Sequence, residues 1–196
     1  MKAMRGVIII AAAAALAVAG CSATSPHESE PLPSSDKILA AHGLDGLDAR
    51  QVIDRLDRTP VDARPQDLRA SVRPGQLLLS DSGSGASMAL DLPAGQFYLS
   101  LAPYLSTTHD CFFHSLTTCR GELARKQVHV SISNRTTGRL LVDESTTTFD
   151  NGFVGFWLPS GIDVTVRVDF EGRTAAADVS TGPGEPTCVT TLHLTA

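Results

Sequence analysis

The segment from Ile162 to Phe170 places Ile162, Val164, Val166, Val168 and Phe170 in strict alternation with Asp163, Thr165, Arg167 and Asp169. A period of two with one apolar and one polar face is the signature of a strand whose sheet is wet on one side, and such sheets are mostly antiparallel. The same reading predicts strands over Gln76–Ser80, Ala86–Leu92, Gln96–Ala102, Lys126–Ser133 and Arg173–Ser180. Weaker ones fall at Arg139–Ser145 and Gly152–Leu158, and a last one at Thr187–Leu194. Asp81-Ser82-Gly83-Ser84-Gly85 reads as a hairpin loop. Short strands separated by Gly, Pro and Asn turns predict a β-sandwich or small barrel.

The stretch before this body has a helical period. Ile38, Leu39 and Ala41 make a short apolar face stopped by Gly43, and Ala49, Val52, Ile53 and Leu56 follow at i, i+3, i+4, i+7. Asp45 is the expected cap of the second helix, with Pro60 and Pro65 closing the region. The expected fold is therefore α+β. Residues 36–72 form a small helical N-terminal part, and residues 73–196 form a mainly antiparallel, sandwich-like, β-rich body.

Met1-Lys2-Ala3-Met4-Arg5 precedes an apolar run from Val7 to Ala19, and the run ends Val18-Ala19-Gly20-Cys21. Basic residues, an apolar run too short to span a bilayer and small residues before a cysteine have the form of a lipoprotein signal. Residues 1–20 are expected to be removed, Cys21 to carry lipid, and residues 21–35, rich in Ser, Pro and Glu, to act as a flexible tether. The expected location is exported and membrane-anchored, facing the periplasm or cell exterior, with lipid as the only membrane contact. The net charge of −5, with no basic patch or aromatic platform, speaks against nucleic-acid binding.

With Cys21 set aside, three cysteines remain. Cys111 and Cys119 share one run, His109-Asp110-Cys111-Phe112-Phe113-His114-Ser115-Leu116-Thr117-Thr118-Cys119, and Cys188 lies far downstream. An odd thiol count in an exported chain cannot close wholly into internal disulfides. Three readings are open. The first is a structural disulfide, Cys111–Cys119 or either one to Cys188, with one idle thiol. The second is a zinc site of three cysteines and His114. The third is copper, since Cu(I) favours soft thiolates and is satisfied by two or three. In a strand over Thr187–Leu194, Cys188 shares a face with Leu192 and Leu194 and is expected to point inward. The segment Pro103–Glu122 is too long for an idle loop, and Phe112, Phe113 and Leu116 predict that it is packed.

The remaining histidines read as structure. His27 and His129 are expected on the surface, His42 at a helix end as a cap, and His193 on the face opposite Cys188. The chain has no phosphate loop and no nucleophile elbow, so a hydrolase reading has no support.

The run His109-Asp110-Cys111-x-x-His114-Ser115-Leu116-Thr117-Thr118-Cys119-x-Gly121-Glu122-Leu123, with a third cysteine near the C-terminus matched by Cys188, resembles the signature of the CueP family of periplasmic copper-binding proteins. The resemblance covers most of the chain from about Asp36 onward. It implies copper, as Cu(I) or Cu(II), bound through Cys111, Cys119 and Cys188, with His114 as an auxiliary ligand and His109 as a weaker one. It implies a role in copper tolerance rather than catalysis, with reduction of Cu(II) by the thiols as an added capacity. The partner implied is a copper-accepting extracytoplasmic protein such as a superoxide dismutase. A homodimer is carried as an alternative to a monomer. Two other classes stand beside this reading: a thiol–disulfide oxidoreductase, which would lack the usual C-x-x-C at a helix start, and a disulfide-stabilised structural lipoprotein without metal.

Overall fold

The computed structural model describes residues 34–196, so the signal segment, Cys21 and most of the tether lie outside the described residues, and Ser34 and Ser35, expected at the end of the tether, open the first helix instead. Helix α1 runs Ser34–Ala41 and α2 runs Ala49–Asp57. The cap of α2 is Asp48, not the expected Asp45. Asp48 accepts from the Gln51 N–H, and the Gln51 side chain accepts from the Asp48 N–H, which closes a capping box. Ala49, Val52, Ile53 and Leu56 are buried as their period requires, and so is Asp57, which continues the same face.

The helical part ends before residue 72. Leu68, Ala70 and Val72 are buried and alternate in β1, Leu68–Arg73. This strand opens an antiparallel meander with β2, Gln76–Asp81, and β3, Ser87–Asp91. The helices and this sheet share one core, built on Ile38, Val52, Ile53, Leu68, Val72 and Leu79. Neither short helix could hold alone, and burial against the sheet supplies the missing stability.

A second core lies between two further sheets. One has the order β10-β4-β7, with β4 at Gln96–Leu101, β7 at Val154–Pro159 and β10 at Cys188–Val189. The other has the order β6-β5-β8-β9, with β5 at Gln127–Asn134, β6 at Leu140–Thr147, β8 at Asp163–Phe170 and β9 at Arg173–Ser180. Every pairing is antiparallel except β10 with β4. The inward faces of β5 and β8 meet Phe97, Leu99 and Leu101 of β4, so the sandwich expectation holds.

Strand β4 is buried on both faces. Phe97, Leu99 and Leu101 face the sandwich core while Tyr98 belongs to the helix-side core. Tyr98 reaches through to donate to Asp57 Oδ2 at 2.7 Å. Gly155 on β7 makes room for its ring, because a Cβ there would overlap the tyrosine hydroxyl. Gly155→Ala is therefore expected to cost about 1–3 kcal/mol through overpacking, read as a lower urea midpoint with unchanged m-value.

The C-terminal strand is much shorter than expected. Only Cys188 and Val189 form β10, and the chain then continues through single bridges, Tyr104 with His193 and Thr174 with Thr195. Cys188 is buried as expected, but for another reason. Leu192 and Leu194 join the sandwich core, whereas Cys188 packs with Ala102, Cys119 and Phe153 in a separate small cluster. Face parity holds only along a continuous strand, and this one breaks after two residues. No helix among the described residues is long and apolar enough to cross a membrane.

Candidate metal centre

The segment between β4 and β5 has little regular structure, yet its backbone is tied down along its length. Glu122 Oε2 accepts from the N–H groups of Leu105, Ser106 and Thr107. Residues 114–116 add to the free edge of β1, where the Val72 N–H donates to the His114 carbonyl and the Leu116 N–H to the Ala70 carbonyl. Buried Thr187 joins three elements. Its hydroxyl donates to the Val72 carbonyl and accepts from the His114 N–H, and its carbonyl accepts from Ser100 of β4. The segment is thus packed, as expected, with Leu116 fully buried, although Phe112 is 54% exposed and its ring meets Phe113 edge-on.

A turn in which the Cys119 N–H donates to the Ser115 carbonyl folds the motif back on itself. It brings Cys119 Sγ to 3.6 Å from Cys111 Sγ and 3.3 Å from the Ser115 N–H. The turn thus joins Cys111 to Cys119, while His114 falls on the other side of Cys119 with Cys188. Cys188 arrives from β10, with Sγ 3.8 Å from His114 Nδ1. All three cysteines are free thiols. Two donor sets result, each with its atoms within 4.8 Å of one another: His109, Cys111 and Cys119, and His114, Cys119 and Cys188. Cys119 belongs to both.

The second nitrogen of His114 is fixed by a residue that sequence reasoning did not single out. His114 Nε2 lies 3.0 Å from Asp57 Oδ1, and both side chains are fully buried. Asp57 also accepts from the Tyr98 hydroxyl and from Asn151 Nδ2, at 2.7 and 2.8 Å. With Nε2 held by a carboxylate, Nδ1 faces Cys188 and is the nitrogen left for a metal ion once it gives up its proton, the arrangement by which a carboxylate orients a metal-binding histidine. The signal was present in the sequence as an Asp on the apolar face of α2, one residue after Leu56.

Electrostatics concentrate negative charge on Cys119. Hydrogen bonds from Cys111 and Cys188 push its thiol far down, against burial and with help from His114. Hydrogen bonding to Cys111 and Cys119 pushes Cys188 far up, and burial adds to it. Burial alone would raise Asp57 and lower His114, but their mutual attraction outweighs it, so Asp57 is held below its ordinary value and His114 well above. Buried Arg64 donates to the Cys119 carbonyl at 2.8 Å and adds a positive charge beside the sulfur. Burial lowers the guanidinium's own pKa, with Asp57 and Cys119 opposing.

The rings of Phe153 and His114 lie 4.5 Å apart, and His109 meets the same phenyl ring edge-on at 6.1 Å. His109 Nε2 is buried without a hydrogen-bond partner among the described residues. A cleft of about 490 Å³ lined by His109, Cys119 and Glu122 opens on one side. A separate groove of about 240 Å³ touches Cys111, Phe112 and Cys188.

The other histidines stand apart from this cluster. His193 stacks on Tyr104, and His129 pairs with Asp143 on the surface. His42 lies between two aspartates of the β1–β2 hairpin instead of acting through its side chain as a helix cap.

No curated protein matches the chain. A family model described as periplasmic copper-binding protein CueP matches residues 51–193, which include all three cysteines and both histidines of the centre. A solved structure described as a crystal structure of S.CueP is 36% identical, with a TM-score of 0.77, over 83% of this chain and 98% of that one. The match to the family model spans well over half of the sequence and the structural likeness extends beyond it: the chain belongs to the CueP family of periplasmic copper-binding proteins.

Proposed function

We propose that Cys111, Cys119 and Cys188, with His114, hold one copper ion as Cu(I), and that His109 assists at the outer side. The observation that carries this reading is the convergence of three sulfurs and one oriented imidazole nitrogen through a shared Cys119. Thiolate sulfur selects Cu(I) over harder ions, and the buried apolar rim of Ala102 and Phe153 restricts water. Zinc is the competing occupant, since three thiolates and an imidazole also satisfy a tetrahedral Zn²⁺.

The protein sequesters copper in the periplasm and passes it to an acceptor such as a superoxide dismutase. A lipid on Cys21 holds it to the membrane, so its reach is set by the tether. The Cys111 and Cys119 thiols also reduce Cu(II). Closing the 3.6 Å gap to a disulfide releases two electrons and two protons, and two Cu(II) become two Cu(I). Cys188 and His114 stay available to hold one product ion.

Anaerobic titration of the reduced chain with Cu(I) against a competing chelator tests the binding, with one tight equivalent expected and preference over Zn²⁺. For the redox step, one thiol should disappear for each Cu(I) formed from Cu(II). A ratio far from unity sinks the two-thiol scheme, and no tight Cu(I) equivalent sinks the function.

A further inference from the structure

A second group of metal-binding side chains lies outside the sulfur centre. His42 directly follows α1, Asp67 directly precedes β1, and Asp81 closes β2. The β1–β2 register pairs Leu68 with Asp81, and the Ser82 N–H and hydroxyl both donate to the Asp67 carbonyl, so the two carboxylates meet at one end of the hairpin. The His42 side chain is only 8% exposed and sits between them, Nδ1 3.9 Å from Asp67 Oδ1 and Nε2 3.9 Å from Asp81 Oδ2. Both distances exceed a hydrogen bond, and Nε2 is buried with no hydrogen-bond partner among the described residues. One donor atom from each of the three side chains falls within 4.8 Å of the others.

The carboxylates are held in place for this. Asp81, with its side chain 9% exposed, accepts from the Gly83 N–H at 2.8 Å and the Ser84 hydroxyl at 2.9 Å, and these bonds hold its carboxyl below the usual range. Each oxygen takes one such bond and keeps a lone pair. A buried imidazole nitrogen beside two anions, too far away to hydrogen-bond to either, lacks a partner of positive charge.

We propose that His42, Asp67 and Asp81 form a second metal site that takes a borderline divalent cation, Zn²⁺ or Cu²⁺, and rejects Cu(I). One imidazole nitrogen and two carboxylate oxygens contain no soft donor, which is the set that suits such ions, and exposed Asp67 leaves a side open for water as the fourth ligand. The two carboxylates offset the charge of the dication. Because the ligands come from the end of a helix, the start of a strand and the tip of a hairpin, the bound ion staples α1 to the first sheet.

The test uses Co²⁺ as a spectroscopic probe on a chain with Cys21, Cys111, Cys119 and Cys188 all changed to serine. One Co²⁺ should bind tighter than about 10 μM, with ligand-field bands and no sulfur-to-cobalt charge transfer, and Zn²⁺ should displace it and raise the Tm. Asp67→Asn should weaken binding more than about a hundredfold, beyond the loss from an outer-shell partner, and His42→Gln should do the same. Asp67 has a side chain 58% exposed, so its substitution leaves the fold intact and decides the matter even if His42→Gln does not fold. In the wild-type chain, Asp67→Asn should remove the sulfur-free cobalt spectrum and leave any sulfur-bound one. Absence of stoichiometric binding, or binding equal in wild type and Asp67→Asn, overturns the proposal and leaves His42 as a packed side chain between two aspartates. Neither outcome bears on the sulfur centre.

Discussion

Changing Cys119 to serine is expected to lower Cu(I) affinity more than any other single substitution, by well over about a hundredfold, which exceeds the loss from an outer-shell partner. Cys119 is the one donor common to both sets, while Cys111 and Cys188 each belong to one. It is also the sulfur on which the thiolate charge is concentrated, stabilised by neighbouring thiols, the Ser115 N–H and His114. Serine is nearly isosteric but offers a hard oxygen that Cu(I) does not favour. Cys111→Ser leaves Cys119, Cys188 and His114, and Cys188→Ser leaves Cys111, Cys119 and His109, so each should lose less. Chelator competition on the three variants ranks them directly. Equal losses for all three would mean that the sites are not organised around Cys119.

Asp57→Ala should produce the largest loss of stability, about 3–5 kcal/mol, the range for breaking a buried ion pair by removing one partner, or roughly 6–20 °C in Tm for a domain of this size. Three buried donors, from His114, Tyr98 and Asn151, lose their acceptor at once. The milder Asp57→Asn keeps the shape and an acceptor for Tyr98 but removes the charge that sets the His114 tautomer. It should cost less stability and still weaken copper binding about 10–100-fold. The pair also sets a pH profile for the metal-free protein. The lowered Asp57 contributes stability fully above its ordinary value of 3.8, and that share is lost as pH falls through its folded value. The raised His114 contributes fully below its ordinary value of 6.5, and that share is lost as pH rises through its folded value. The contribution of the pair is therefore flat between those two ordinary values and declines on either side. Chemical unfolding of wild type and Asp57→Asn across this range isolates it, and parallel curves would remove the ion pair from the account.

Much of the β body was legible because alternation over one wet face is a local property. Strands β5 and β8 fall almost where Val128, Val130 and Ile132, and Val164, Val166 and Val168, require. The short β10 was not legible, since its pairing partner is β4, far away in sequence, and its end is set by where the chain must leave that edge. Strand β1 was hidden because six residues next to two helices give a weak period. The cap moved from Asp45 to Asp48 because several polar residues precede α2 and only the bonding pattern chooses among them.

The sequence by itself supplied the candidate donors. The three cysteines besides Cys21 and the motif histidines are chemical identities that hold wherever the fold places them. The tertiary structure alone decided how the donors meet: Cys119 shared between two triads, Cys188 brought in on β10, and His114 turned by a carboxylate from a helix more than fifty residues away. The physical reason is the range of the forces involved. Alternation and capping act over a few neighbouring residues, but the burial that places Asp57 against His114 arises only when the helix-side core, the sandwich and the motif segment close around one another.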